Sequence, residues 1–191
     1  MKNDNKLNNN KSYNTKDTTM KKLTILFALL LVVGFSTSAF AQATVSATAT
    51  TTATIVTPLG ISKTIDMNFG NVATNGTAGT VVMTPAGART PTGGVTLPAT
   101  AGTVAAASFA VTGSGTYTYA ITLPGSPITL TGTPSGTVTV GTFTSTPSGT
   151  GALTAGAQTL LVGATLNIPI STAAGSYLNN SGGLTVTVCY N

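Results

Sequence analysis

The sequence contains no His and no Trp, one Cys, and only 6% charged residues across its 191 positions. An ordinary soluble domain carries about 25% charge. Glu is missing altogether, and the few charges are unevenly spread. Residues 1–41 hold Lys2, Lys6, Lys11, Lys16, Lys21, Lys22, Asp4 and Asp17, which leaves Lys63, Asp66 and Arg89 for everything from Gln42 onward. Without His, the side chain most used for proton transfer near neutral pH and for metal ligation is gone. With one carboxylate side chain in the body, paired-carboxylate chemistry is excluded. The formal net charge of +5 belongs to the N-terminal part. The body has no clustered Lys and Arg with which to neutralise phosphates, so a nucleic-acid partner is not expected. Ser and Thr abound, but no base stands ready to activate one. The absences therefore predict a protein that is not an enzyme, with no cofactor and no metal.

The N-terminal part reads as a targeting segment. Met20-Lys21-Lys22 precedes an apolar run from Leu23 to Phe35, and then Ala39-Phe40-Ala41 and Gln42. A basic start, a short apolar centre and an Ala-x-Ala end make a signal peptide over residues 20–41, cleaved after Ala41. The run is shorter than the ~20 residues a membrane-spanning helix needs, so no stable span is expected after cleavage. Residues 1–19 are an Asn- and Lys-rich tail upstream of the signal, and translation beginning at Met20 would remove them. The expected location is outside the cytoplasm: periplasm, cell surface or medium.

What is abundant is Thr, which supplies 36 of the 150 residues from Gln42 to Asn191. Thr and Val suit the pleated surface of a strand because they branch at Cβ. Gly- and Pro-rich breaks punctuate short alternating runs, as at Thr84-Pro85, Gly93-Gly94, Pro124-Gly125, Pro134-Ser135-Gly136 and Pro147-Ser148-Gly149. Such punctuation predicts an all-β fold, an antiparallel sandwich of about 8–10 strands. Ala43, Val45, Ala47, Ala49, Ala53 and Ile55 share one face of an N-terminal extended strand over residues 42–56, and residues 57–191 form the sandwich. Phe109 and Val111 lead into Gly113-Ser114-Gly115, and Tyr117, Tyr119, Ile121 and Leu123 lead out, which predicts a hairpin. Leu160, Val162, Ala164, Leu166 and Ile168 alternate, as do Leu184, Val186, Val188 and Tyr190 at the end. Charged edges normally discourage strand-to-strand association, and this chain has given up that protection.

Individual residues add little chemistry. Cys189 has no partner for an intramolecular disulfide, and alternation turns it away from the core. Lys63 and Asp66, three apart, point to opposite faces of a regular strand. Arg89, in Gly87-Ala88-Arg89-Thr90, is expected to be a loop residue, either solvated or capping carbonyls. Gly76-Thr77-Ala78-Gly79 is a turn rather than a phosphate loop. Asn75-Gly76-Thr77 and Asn179-Asn180-Ser181 contain the acceptor pattern for N-glycosylation. Tyr117, Tyr119, Tyr177 and Tyr190 are the rings of the body available for stacking.

The order of several motifs resembles domain-of-unknown-function family 4402 of secreted bacterial proteins: Thr92-Gly93-Gly94-Val95-Thr96-Leu97-Pro98, Tyr117-Thr118-Tyr119, Thr144-Ser145-Thr146-Pro147-Ser148-Gly149 and the Val186-Thr187-Val188-Cys189-Tyr190 end. Ile65-Asp66-Met67-Asn68-Phe69-Gly70 and the C-terminal run are, more remotely, similar to spore-coat-U-like subunits of archaic chaperone–usher pili. The remote resemblance implies an immunoglobulin-like, pilin-like sandwich completed by a neighbour's N-terminal strand, assembling with itself or related subunits and served by a periplasmic chaperone. The strand-pairing residues would be Val45, Ala47, Ala49, Ala53 and Ile55 against Leu184, Val186, Val188 and Tyr190. The alternative is a monomeric secreted module binding carbohydrate or another surface ligand, with the N-terminal strand paired in cis.

Overall fold

A computed structural model describes residues 21–27, 44–179 and 183–191. Contacts divide the chain into two units, Met1–Thr52 and Ala53–Asn191. In the first, residues 21–27 are helical and exposed, and residues 44–52 are exposed without regular structure. The expected cleavage site at Ala39–Ala41, Gln42 and Ala43 lie outside the described residues, as do residues 1–19. Among the described residues, no helix is long and apolar enough to cross a membrane.

The second unit is all-β, as expected, with eleven strands: β1 (Gly60–Ile65), β2 (Ala73–Met83), β3 (Arg89–Thr96), β4 (Ala107–Thr112), β5 (Thr118–Thr122), β6 (Ile128–Thr133), β7 (Thr137–Thr146), β8 (Thr150–Ala152), β9 (Ala157–Ile168), β10 (Ser176–Leu178) and β11 (Thr187–Tyr190). The count exceeds the expected 8–10 because β8 and β10 are three residues each, too short to leave a period in the sequence. All pairings are antiparallel. The large sheet runs β1-β4-β9-β7-β6-β10, with β2 joining β9 and β3 joining β2; the small sheet runs β11-β5-β8.

Strand β9 is the axis of the large sheet. It pairs with β4 over Ala157–Val162 and then with β2 over Ala164–Ile168, while β7 follows its other side from Leu161 to Asn167. Gly163 sits where β4 gives way to β2, and a Cβ there would run into the Met83 carbonyl and the backbone of Thr84 and Pro85. The alternation read from the sequence is realised here: Leu160, Val162, Ala164, Leu166 and Ile168 are all buried. Each larger side chain among them contributes about 1.5–3 kcal/mol by leaving water.

Two core clusters flank this axis. One gathers Val81, Met83, Val95, Val138, Val140, Leu166 and Ile168 with Phe69. The other packs the large sheet against the small one through Phe109, Val111, Leu160 and Val162 on one side and Tyr119, Leu153 and Val186 on the other. Met67 and Phe143 touch both clusters.

Two expectations about local structure are corrected. The Gly113-Ser114-Gly115 loop does not close a hairpin: β4 pairs with β1 and β9, whereas β5 pairs with β11 and β8. The loop carries the chain from one sheet to the other, held by Gly113 N–H to Gly156 O and Gly156 N–H to Gly115 O. Alternation on both sides of a glycine loop does not encode which sheet the second run joins. Lys63 and Asp66 also meet, at 2.6 Å, because the β1–β4 ladder shifts register between Lys63 and Ile65. Such a bulge breaks the two-residue period that would have kept them apart.

Candidate functional site

Among the described residues, five strands have a side without a ladder partner: β1, β3 and β10 in the large sheet, β8 and β11 in the small one. Unpaired N–H and C=O groups on such an edge are a template for another chain. Three of the five are blunted. Strand β3 carries Pro91, which has no N–H, and its ladder with β2 is interrupted between Thr74 and Gly79. Strands β8 and β10 are three residues long. On β10, the Tyr177 ring lies over Gly132 and Gly136, where side chains would collide with it.

The remaining pair, β1 and β11, lie beside each other in different sheets. Strand β1 begins where β11 ends, since Gly60 is opposite Thr112 before the 113–117 corner and Tyr190 is opposite Tyr119 after it. The two strands therefore run in opposite directions across the gap. The backbone polarity of β11 follows from its neighbour. Ile121 sends its N–H to Gly149 on the β8 side. In an antiparallel ladder, opposite residues point their polar groups the same way, either both toward each other or both apart. Val188, opposite Ile121, thus turns its N–H and C=O to the open edge.

Apolar side chains line this gap and complete the inter-sheet core. Leu59, Ile61, Leu184, Val188 and Tyr190 are half-buried against the cluster that contains Val186. All four C-terminal residues expected at a strand-pairing interface, Leu184, Val186, Val188 and Tyr190, are brought together there. Leu59 and Ile61 were missed, although the Leu59-Gly60-Ile61 alternation was available as a signal. Ala53 and Ile55 are not among these residues, and Val45, Ala47 and Ala49 belong to the first unit. Residues 44–59 contain no strand, and Val45 and Ile55 are 96% and 97% exposed. Each Ala of that run buries little apolar surface, which makes a strand formed from it shallow.

Three polar features border the gap. The Tyr190 hydroxyl accepts the Ser114 N–H at 2.7 Å and donates to the Thr57 carbonyl at 2.9 Å, tying the last strand to the corner and to the entry into β1. Lys63 is opposite Phe109, so it lies on the core-side face of β1. There its ammonium meets Asp66, with both side chains largely in solvent. An inward-pointing charge discourages pairing at that end of the edge. Cys189 is a free, exposed thiol, alternating outward from the gap as expected. A shallow depression of about 270 Å³ at the start of β11, lined by Thr122, Leu123, Pro124, Gly183, Thr185 and Thr187, is open to solvent.

Of the four tyrosines expected as stacking rings, Tyr119 is fully buried. Its hydroxyl donates to Gln158 Oε1 at 2.6 Å, and burial pushes its pKa up. Tyr190 is committed to its two hydrogen bonds and meets Tyr117 edge-on at 5.7 Å, which leaves Tyr117 half-exposed. Arg89 caps the carbonyls of Phe69 and Asn71, though from the first residue of β3 rather than from a loop. Among the described residues, no three His, Cys, Asp or Glu side chains are grouped as a metal site.

A family model described as a domain of unknown function, DUF4402, matches residues 59–190. The chain belongs to that family. Its match begins one residue before β1 and ends on the last residue of β11, so it covers the β domain. No curated protein and no solved structure matches the chain.

Proposed function

We propose that this DUF4402 protein is an exported, non-enzymatic structural subunit, pilus- or fimbria-like, that assembles through β-strand addition at the β1/β11 gap. The observation that carries this reading is the contrast among the edges: three are blunted, whereas β1 and β11 border a half-exposed apolar seam of the core. A strand filling the gap antiparallel to β11 would run parallel to β1. Main-chain pairing then gives affinity, and alternate side chains give register.

The occupant we assign is the alternating segment Ala43–Ile55 of a neighbouring copy. Its side chains are small, and the seam is already lined by bulky, half-buried residues, so a shallow strand suits it. In cis, the segment would have to reverse at Thr57-Pro58. Thr57 precedes a proline and is biased toward extended backbone, and its carbonyl is held by Tyr190. Donation from each copy to the next is a heterologous contact, which generates an open filament unless its rotation closes a ring.

Sedimentation of residues 42–191 and 56–191 tests the reading. The longer chain should form concentration-dependent oligomers and the shorter should remain monomeric with an unchanged melting temperature. A longer chain that stays monomeric at its solubility limit defeats the proposal, and the half-exposed Tyr117 then becomes the place to look for a ligand.

A further inference from the structure

Asn75-Gly76-Thr77, the glycosylation pattern that overlaps the Gly76-Thr77-Ala78-Gly79 stretch expected as a turn, lies instead within strand β2 and has a second chemistry. It lies in the stretch between Thr74 and Gly79 where β2 drops out of register with β3. Asn75 Oδ1 accepts two hydrogen bonds from Thr77, one from the backbone N–H at 3.0 Å and one from Oγ1 at 2.7 Å. The Gly76 N–H points to Thr74 Oγ1 at 3.1 Å. Gly76 has φ 90° and an open surrounding, with nothing within 4 Å of where a Cβ would be. Its carbonyl is fixed from outside by the Ser171 N–H at 3.0 Å.

These are the parts of an intramolecular acyl transfer. The Gly76 nitrogen can close a five-membered ring on Asn75 Cγ, and no side chain at Gly76 stands in the way. As the nitrogen attacks, negative charge develops on Oδ1, where two donors from Thr77 already point, in the manner of an oxyanion hole. The Gly76 proton leaves along a hydrogen bond to a hydroxyl oxygen. Among the described residues, Asn75 Nδ2 makes no hydrogen bond to protein that would hold the departing nitrogen.

We propose that Asn75 is a self-modifying site that converts to aspartate and isoaspartate through a succinimide formed with Gly76, with Thr77 stabilising the oxyanion. The balance is complete with water as co-reactant. The Gly76 N–Cγ bond forms, the Cγ–Nδ2 bond breaks, and the nitrogen leaves as ammonia carrying the proton taken from Gly76. Water then adds to either ring carbonyl and reopens the ring to a carboxylate. Isoaspartate lengthens the main chain by one bond, and it does so where residues 75–78 keep no ladder register with β3. The product adds a negative charge to a body whose charges from Gln42 on are Lys63, Asp66 and Arg89.

The test is to age the purified full chain at neutral and mildly alkaline pH. Conversion is read by mass spectrometry on the tryptic peptide spanning residues 64–89, released between Lys63 and Arg89. The same peptide in isolation serves as the unstructured reference. Conversion at Asn75 in the folded chain should be about tenfold faster than in the peptide, below the ~10²–10³ that one oxyanion donor is worth in a closed enzyme site because this loop is open to water. Thr77→Val should bring the folded rate down to that of the peptide, and Thr77→Ser should restore it. Asn68 and Asn71, on the same peptide, should remain amides. A folded rate equal to or below the peptide rate overturns the proposal, as does a Thr77→Val protein that converts as fast as the wild type.

Discussion

The two ends of the large sheet are finished differently. At the β10 end the last strand is three residues long and a tyrosine ring covers the glycines beneath it; at the β1 end six residues present an edge with no proline. The small sheet repeats the contrast, with β8 as short as β10 and β11 open. With three charges in its body, the protein places one on an edge, Lys63 on β1 paired with Asp66, and it blunts β3, β8 and β10 with brevity, proline and aromatic cover. The two edges left without such cover adjoin one another over an apolar seam.

The comparison can be broken most forcefully at its hinge. Gly163 joins the part of β9 that pairs with β4, and so serves the open β1 edge, to the part that pairs with β2, and so serves the proline-blunted β3 edge. Gly163→Ala should destabilise the domain by about 1–3 kcal/mol or more through overpacking against Met83 and Pro85, read as a lower denaturation midpoint for both halves together. Next in size is Val188→Asp. It should abolish oligomers in sedimentation while costing the monomer under ~1 kcal/mol, because the side chain is half-exposed at an edge. Equal loss of monomer stability would mean that β11 is core rather than edge. Pro91→Val should unblunt β3 and produce aggregation that does not require residues 43–55, visible as light scattering from the 56–191 chain. The smallest change is Lys63→Thr. The ion pair with Asp66 is solvent-exposed and worth ~0–1 kcal/mol, so stability should hardly move, while association should tighten slightly as the inward charge is lost.

Alkaline pH gives a further check on the guarded interior. Tyr119 has its pKa raised by burial, so the unfolded chain releases this proton at a lower pH than the folded one. Its contribution to stability is complete below the ordinary tyrosine value of about 10 and declines as pH rises above it. The melting temperature should therefore fall through that range, and Tyr119→Phe should flatten the decline.

Much of the architecture was legible in the residues. Long alternating runs with bulky side chains, such as Leu160 to Ile168, declare both a strand and its buried face. Val186, Val188 and Tyr190 were placed on the core side by the same rule and belong there, although the final ladder is limited to Thr187–Tyr190. The failures occur where alternation is necessary but not sufficient. Ala43 to Ile55 alternates as cleanly as β9 but lacks the bulk to choose a partner. The glycine corner at 113–115 fits a hairpin and a change of sheet equally well. The Lys63–Asp66 pair depends on a bulge that no residue type announces. For the candidate site, the alternation of Leu184, Val186, Val188 and Tyr190 was readable, whereas the Leu59-Gly60-Ile61 alternation offers only two apolar residues, too short a signal to single out before the β1–β4 ladder places Ile61 opposite Val111.

The position of β9 has a consequence for the order of events during folding. The strand that holds the large sheet together is the ninth in sequence, and its partners β2 and β4 lie as much as 80 or more residues upstream, with Val81 opposite Leu166. Until residue 168 is available, the earlier strands can form local hairpins such as β6–β7 but not a sheet. Long-range pairing of this kind places folding in the ~ms–s range rather than the microsecond range of helical bundles. Throughout that interval the apolar faces of β2, β4 and β7 lie unpaired in a chain with almost no charge to keep copies apart. Refolding yield should therefore drop steeply with protein concentration, and a holding partner for the nascent chain would act before β9 arrives rather than after the fold is complete.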